Sequence, residues 1–76
     1  MRVIITGASQ GIGYAIAETF AKHGHDLILT SKTATRLEAS TKALQVAYPS
    51  VSIEAKAFDL SVTSACQEFA TWALRQ

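Results

Sequence analysis

Thr6-Gly7-Ala8-Ser9-Gln10-Gly11-Ile12-Gly13 puts three glycines within seven residues, directly after a short β-branched run and directly before a segment of helical period. So much backbone freedom at one point needs a cause. Where a parallel strand hands over to a helix, the first helical turn presents unpaired N–H groups and the positive end of its dipole, and both suit a phosphate. On that reading Gly7 permits a sharp turn and Gly11 lets a pyrophosphate approach the backbone with no Cβ in the way. Gly13 lets the helix pack closely on the strands. The alternative is a glycine-rich turn without a ligand; placement inside a βαβ unit favours the phosphate.

The flanking pattern supplies that unit. Arg2-Val3-Ile4-Ile5-Thr6 is a continuous apolar, β-branched run, expected as a strand buried on both faces. From Ile12, the residues Ala15, Ile16, Thr19 and Phe20 continue a helical stripe, with Gly24 placed as its C-terminal cap. Asp26-Leu27-Ile28-Leu29-Thr30 repeats the character of the first strand, and a helical connection between the two forces parallel pairing. A second helix is expected over Ser31 to Tyr48, with Thr35 and Glu38 at capping-box spacing, Leu37, Thr41, Leu44 and Tyr48 on one face, and Pro49 as its stop. Val51 to Phe58 alternates apolar or small with polar residues as a third strand. Asp59-Leu60-Ser61 forms a turn, Ser61 is the expected N-cap, and Val62, Ala65, Cys66, Phe69, Trp72 and Ala73 carry a third helix. The order is βαβαβα and the class α/β, in one domain over residues 1–76.

Composition narrows the partners. Hydrophobic residues make up 49% of the chain and charged ones 17%, so a packed core rather than disorder is expected. A net charge of +1 with no basic block gives no support to nucleic-acid binding. One cysteine closes no internal disulfide, and no uncharged stretch long enough to span a bilayer occurs. The expectation is a soluble, cytoplasmic chain with no membrane partner.

Thr6-Gly7-x-x-x-Gly11-Ile12-Gly13 resembles the cofactor motif of the short-chain dehydrogenase/reductase family, TGxxxGIG directly after the first strand. Leu27-Ile28-Leu29-Thr30-Ser31-Lys32 followed by Arg36-Leu37-Glu38 is similar to that family's second strand and second helix start, and Phe58-Asp59-Leu60-Ser61 to the turn after its third strand. The resemblance implies a Rossmann-like parallel sheet of order 3-2-1, truncated relative to a full doubly wound domain. It implies cofactor contacts at Thr6, Gly7, Ser9, Gln10, Gly11, Ile12 and Gly13, and an adenine site at Asp59 and the backbone of Leu60. Read from the residues alone, Asp59 is also an ordinary turn residue at a helix start.

The end of the second strand bears on which dinucleotide is held. An NAD-selective pocket places a carboxylate there, which repels the 2′-phosphate of NADP. Ser31 stands in that place, followed by Lys32, with Arg36 one helical turn farther on. A hydroxyl donor and an ammonium suit a 2′-phosphate, so NADP is expected over NAD. Gln10 occupies the place of a second basic residue in many NADP-using relatives, which leaves the clamp to Lys32, Ser9 and Ser31. A solvated surface role is the alternative for Lys32.

The hydride-transfer half of the family's site is missing. That site uses Tyr-x-x-x-Lys, with a Ser and an Asn from other segments; here Tyr14 is followed four residues on by Glu18, Tyr48 by Ser52, and no Asn occurs. No catalytic residue is assigned, no metal is expected, and His23, His25 and Cys66 are read as structural. The chain is therefore expected to be the adenosine- and pyrophosphate-binding N-terminal portion of an NADP-dependent oxidoreductase of this family, inactive by itself. The alternatives are a non-catalytic dinucleotide-binding or oligomerisation module and a remnant without function. Topology adds one partner: the first strand would have a bare edge at Val3, Ile4 and Ile5, expected to pair with a second copy in a homo-oligomer.

Overall fold

The computed structural model describes residues 2–9 and 11–76. Its elements follow the expected order: β1 (Arg2–Thr6), α1 (Gly11–Lys22), β2 (Asp26–Thr30), α2 (Ala34–Ala47), β3 (Ile53–Ala55) and α3 (Thr63–Leu74). The three strands form one parallel sheet in the order β1-β2-β3, a Rossmann-like arrangement, with Ile4 opposite Ile28 and Leu29 opposite Ala55. β2 is central, and Leu27, Ile28 and Leu29 are the most deeply buried hydrophobic strand residues. Burying each such side chain contributes about 1.5 to 3 kcal/mol. β1 has β2 on one side and no strand on the other among the described residues.

Period-two alternation divides the sheet between two faces. Ile5, Leu27, Leu29 and Ile53 join Ala17 and Ala21 of α1 and Leu37 and Leu44 of α2 in the main core. Ile4 and Ile28 face the other way, toward Phe69, Ala70, Ala73 and Leu74 of α3. Phe58, Phe69 and Trp72 anchor that helix, with ring centroids 5.5 to 6.1 Å apart. The expected burial of β1 on both faces is not met. Ile5 is buried but Ile4 is 54% exposed, because α3 covers central Ile28 and leaves the edge strand open.

The helices correct several expectations. In α1 the buried positions are Ala17 and Ala21, whereas Ile12 is 80% and Ile16 43% exposed, so the stripe through Ile12, Ala15, Ile16 and Thr19 is not the core face. Close approach of α1 to the sheet selects small residues, and the isoleucines are carried round to the flank. The C-terminus of α1 closes as expected at Gly24, with Gly24 N–H donating to Ala21 and His25 N–H to Phe20. α2 lies within the expected Ser31–Tyr48 span, with Thr33 in the N-cap position two residues ahead of Thr35, so Thr35 lies inside the helix and the Thr35–Glu38 capping box does not form. Glu38 pairs instead with Lys42 at 3.6 Å. Leu37, Thr41 and Leu44 are buried on one face as expected.

β3 is three residues long, shorter than the Val51–Phe58 expectation. Beyond it the chain still runs beside β2, through Lys56 N–H to Leu29 and Phe58 N–H to Ser31. The N-cap of α3 is Val62, not Ser61, whose N–H and hydroxyl both turn back to Asp59. Cys66, one of the residues expected to carry α3, is exposed, its Sγ 3.0 Å from the Leu60 carbonyl.

Candidate functional site

The carboxyl ends of β1 and β2, the glycine-rich loop and the start of α2 converge at one end of the sheet. Gly7 and Gly11 both have positive φ, 65° and 63°, a region open to glycine and strained for other residues. A Cβ on either would point into open space, so the face of the loop that glycine leaves bare is available to a ligand. Gly11 is the first residue of α1, whose exposed first turn carries unpaired N–H groups. Gly13 is different. A Cβ there would collide with the Gly7 carbonyl oxygen and lie 2.7 Å from its carbon. The close approach that Gly13 permits is thus between α1 and its own preceding loop, not between the helix and the strands.

Hydrogen bonds fix the loop from three directions. Ala8 N–H donates to the Thr30 carbonyl at the end of β2. The Ser31 hydroxyl donates to the Ser9 hydroxyl at 2.9 Å, and the Ser40 hydroxyl of α2 donates to the Ser9 carbonyl at 2.6 Å. Ala8 and Ser31 are buried, and Ser9 is half-buried. Thr30, also buried, sends its hydroxyl to the Lys56 carbonyl at 2.8 Å, which draws the exit of β3 to the same end. Ser40 escaped the sequence reading. Its only signal was a small hydroxyl beside the Leu37, Thr41 and Leu44 stripe, which does not say what lies across from it.

The remaining candidate residues fall around this centre. Thr6 is exposed at the end of β1, Ile12 projects from the first turn of α1, and Lys32 is exposed immediately after Ser31. Arg36 lies in the first turn of α2. Gln10 lies outside the described residues. Asp59 and Leu60 are half-buried beyond β3. The Asp59 carboxylate accepts from the Ser61 hydroxyl at 2.6 Å and from its N–H at 3.1 Å. These two bonds hold its carboxyl below the usual carboxylate range, with a smaller contribution from the Lys32 ammonium. The structure therefore brings Asp59 and Lys32 into one electrostatic neighbourhood, although they are far apart in sequence. It does not bring either tyrosine there with a lysine. Tyr14 lies in the groove between α1 and α2, and Tyr48 follows α2 at the other end.

These features fit a dinucleotide's phosphates. Two glycines leave an open face at a helix N-terminus, two hydroxyls meet at Ser31, the residue before Lys32 in the chain, and neither Ser31 nor Lys32 brings a carboxylate to the end of β2. Among the described residues no group of three or more His, Cys, Asp or Glu gathers as metal ligands, and no helix is long and apolar enough to cross a membrane.

Known proteins agree with this geometry. The family described as short chain dehydrogenase matches residues 1–76. A very-long-chain 3-oxoacyl-CoA reductase-like protein of Arabidopsis thaliana is 41% identical over 58 residues, covering 76% of this chain and 19% of its own length. Among solved structures, an alcohol dehydrogenase of Thermococcus sibiricus complexed with 5-hydroxy-NADP superposes with a TM-score of 0.90 at 34% identity, over 97% of this chain and 31% of that one. L-sorbose reductase of Gluconobacter frateurii, complexed with NADPH and L-sorbose, gives 0.87 at 31% identity, over 97% of this chain and 27% of that one. The chain thus spans less than a third of the length of each of these relatives. With the motif, the sheet order and the family match in agreement, this chain belongs to the short-chain dehydrogenase family.

Proposed function

We propose that this chain holds the adenosine and pyrophosphate half of NADP(H) for a short-chain reductase. The observation that carries the reading is the Ser31–Ser9 hydrogen bond, which joins the glycine-rich loop to the end of β2 at a position that carries a hydroxyl in place of a carboxylate, directly before Lys32. Thr6, Gly7, Gln10, Gly11, Ile12 and Gly13 form the pyrophosphate side. Ser9, Ser31 and Lys32 take the 2′-phosphate, and Asp59 with the Leu60 backbone takes the adenine. The 5-hydroxy-NADP complex of the Thermococcus enzyme and the NADPH complex of the Gluconobacter enzyme support the choice of cofactor.

When bound, the nicotinamide supplies a hydride to a carbonyl carbon or accepts one from an alcohol. This chain's part is to bind and orient. The N–H groups at the start of α1 meet the pyrophosphate, and Lys32 neutralises the 2′-phosphate. Transfer also needs a phenol whose pKa a nearby ammonium lowers, so that it exchanges a proton with the substrate oxygen. Neither Tyr14 nor Tyr48 has such a partner by spacing, so neither is given the proton-transfer role. A cytoplasmic location fits a reductase carrying a free, exposed Cys66 thiol.

A second copy is proposed at the open edge of β1. Tyr14 of α1 shares a groove with Ala39, Ser40 and Ala43 of α2, so the opposite flank of α1, with Ile12 and Ile16, faces the side of β1 that has no neighbouring strand. On the other face Ile4 and Leu74 are exposed beside the same edge. Antiparallel pairing about Ile4 sets Val3 against Ile5 and Arg2 against Thr6, so no like charges meet and apolar residues from both faces are covered.

The deciding experiment on the cofactor is titration with NADPH and NADH, followed by nicotinamide fluorescence, for the wild-type chain and Lys32→Ala. One charge-assisted contact is worth about 1.5 to 3 kcal/mol, tenfold or more in affinity. NADPH should bind at least that much tighter than NADH, and Lys32→Ala should remove most of the difference. A preference for NADH that survives Lys32→Ala would defeat the assignment.

A further inference from the structure

Among the described residues of the glycine-rich loop, Ser9 is gripped at two points. Its hydroxyl accepts from Ser31 at 2.9 Å, and its carbonyl accepts from Ser40 at 2.6 Å. The two grips come from different elements, 22 and 31 residues away in sequence. A serine hydroxyl has one proton to give. With the Ser31 proton directed at it, the Ser9 oxygen keeps its own proton for another acceptor. Gly7 and Gly11 flank this segment, and glycine backbones lose more freedom on ordering than any others. The loop therefore needs an external tie if Ser9 is to hold one orientation. Ser40 supplies that tie from the rigid middle of α2, in the groove it lines with Ser9, Gly11, Tyr14, Ala39 and Ala43.

We infer that Ser40 is a positioning residue for cofactor selectivity: by clamping the Ser9 carbonyl it aims the Ser9 hydroxyl, relayed from Ser31, at the 2′-phosphate beside Lys32. This rests on the NADP(H) reading above and deepens it. Ser40 itself touches no ligand. Its effect passes through Ser9, and so falls on the cofactor that carries the extra phosphate.

The test uses the full chain, with NADPH and NADH titrated in parallel against the wild type, Ser40→Ala and Ser40→Thr, and the fold checked by circular dichroism. Loss of one neutral hydrogen bond corresponds to about fivefold in affinity. Ser40→Ala should weaken NADPH by about that factor and NADH by less than about twofold, lowering the ratio of the two affinities. Ser40→Thr, which keeps the hydroxyl, should restore the ratio. Equal NADPH affinity in the wild type and Ser40→Ala overturns the inference, as do equal losses for both cofactors, because a merely structural tie moves both alike. If Ser40→Ala does not fold, Ser40→Cys, similar in size and a poor donor, takes its place with the same expected fall and the same overturning results. A wild-type chain without preference for NADPH sinks the parent reading, and this one with it. That failure is distinguishable, since in the others the wild-type preference persists.

Discussion

Gly13 stands against the carbonyl of Gly7 so closely that the smallest side chain at Gly13 would overlap the loop backbone. The obstacle is main chain, which unlike the end of a flexible side chain cannot swing away. Gly13→Ala should therefore destabilise the fold by about 1 to 3 kcal/mol, and Gly13→Val by more. Urea denaturation followed by circular dichroism measures this. Either variant, where still folded, should bind NADPH and NADH more weakly by similar factors, because the displaced loop serves both cofactors alike. An unchanged midpoint in Gly13→Ala would show that the loop moves freely.

Thr41 offers a change of the opposite sign. It is buried on the core face of α2, and its hydroxyl is a buried polar group without a hydrogen-bond partner. Thr41→Val keeps the shape and removes the unsatisfied oxygen, and should raise stability by about 1 kcal/mol. The denaturation midpoint should rise with the slope unchanged; a fall would mean that water or a neighbouring group serves the hydroxyl.

The Asp59–Ser61 turn predicts a pH dependence. Its two hydrogen bonds hold the Asp59 carboxyl below its ordinary value. A group whose pKa is lowered on folding contributes stability that is present above its unfolded value, near about 4, and is lost as the pH falls through the lower folded value. Asp59→Asn should thus flatten the decline of stability below about pH 4 relative to the wild type and change little of the pH dependence at neutrality. Denaturant midpoints compared between pH 7 and pH 3 read this out. A steeper acid decline in the variant would contradict it.

Self-association follows from the open edge of β1. Sedimentation equilibrium at micromolar concentration should show a dimer or a higher assembly. Ile4→Lys, which places a charge on the exposed face of the edge strand, should shift the equilibrium toward monomer. A stable folded monomer with β1 amides protected from exchange would mean that the edge is covered in another way.

Turnover should be absent. With a panel of ketones, quinones and secondary alcohols and NADP(H), the chain should give no change at the nicotinamide absorbance, because it pairs no tyrosine with a lysine at the required spacing. Activity abolished by Tyr14→Phe or Tyr48→Phe would place the proton donor inside residues 1–76 after all.

The glycine spacing, the change from period two to period 3.6 and the Ser31-Lys32 pair after β2 are local facts, so the sequence alone determined the βαβαβα order, the parallel sheet and the cofactor motif. These signals are legible because each depends on neighbours a few residues away. Burial is not local. Ile12 and Ile16 look like core residues in any helical reading of α1, yet Ala17 and Ala21 take that face, since how closely a helix sits on a sheet is set by the strands beneath it. Ile4 and Ile28 are neighbours of the same type in paired strands, and only their places at the edge and the centre of the sheet make one exposed and the other buried. Thr33 is the N-cap of α2 where Thr35 offers the same side chain, and Val62 is that of α3 while the N–H and hydroxyl of Ser61 are engaged by Asp59. The meeting of Ser9, Ser31 and Ser40 was likewise decided by tertiary structure, which folds α2 back over the glycine-rich loop and brings together hydroxyls that no spacing in the chain connects.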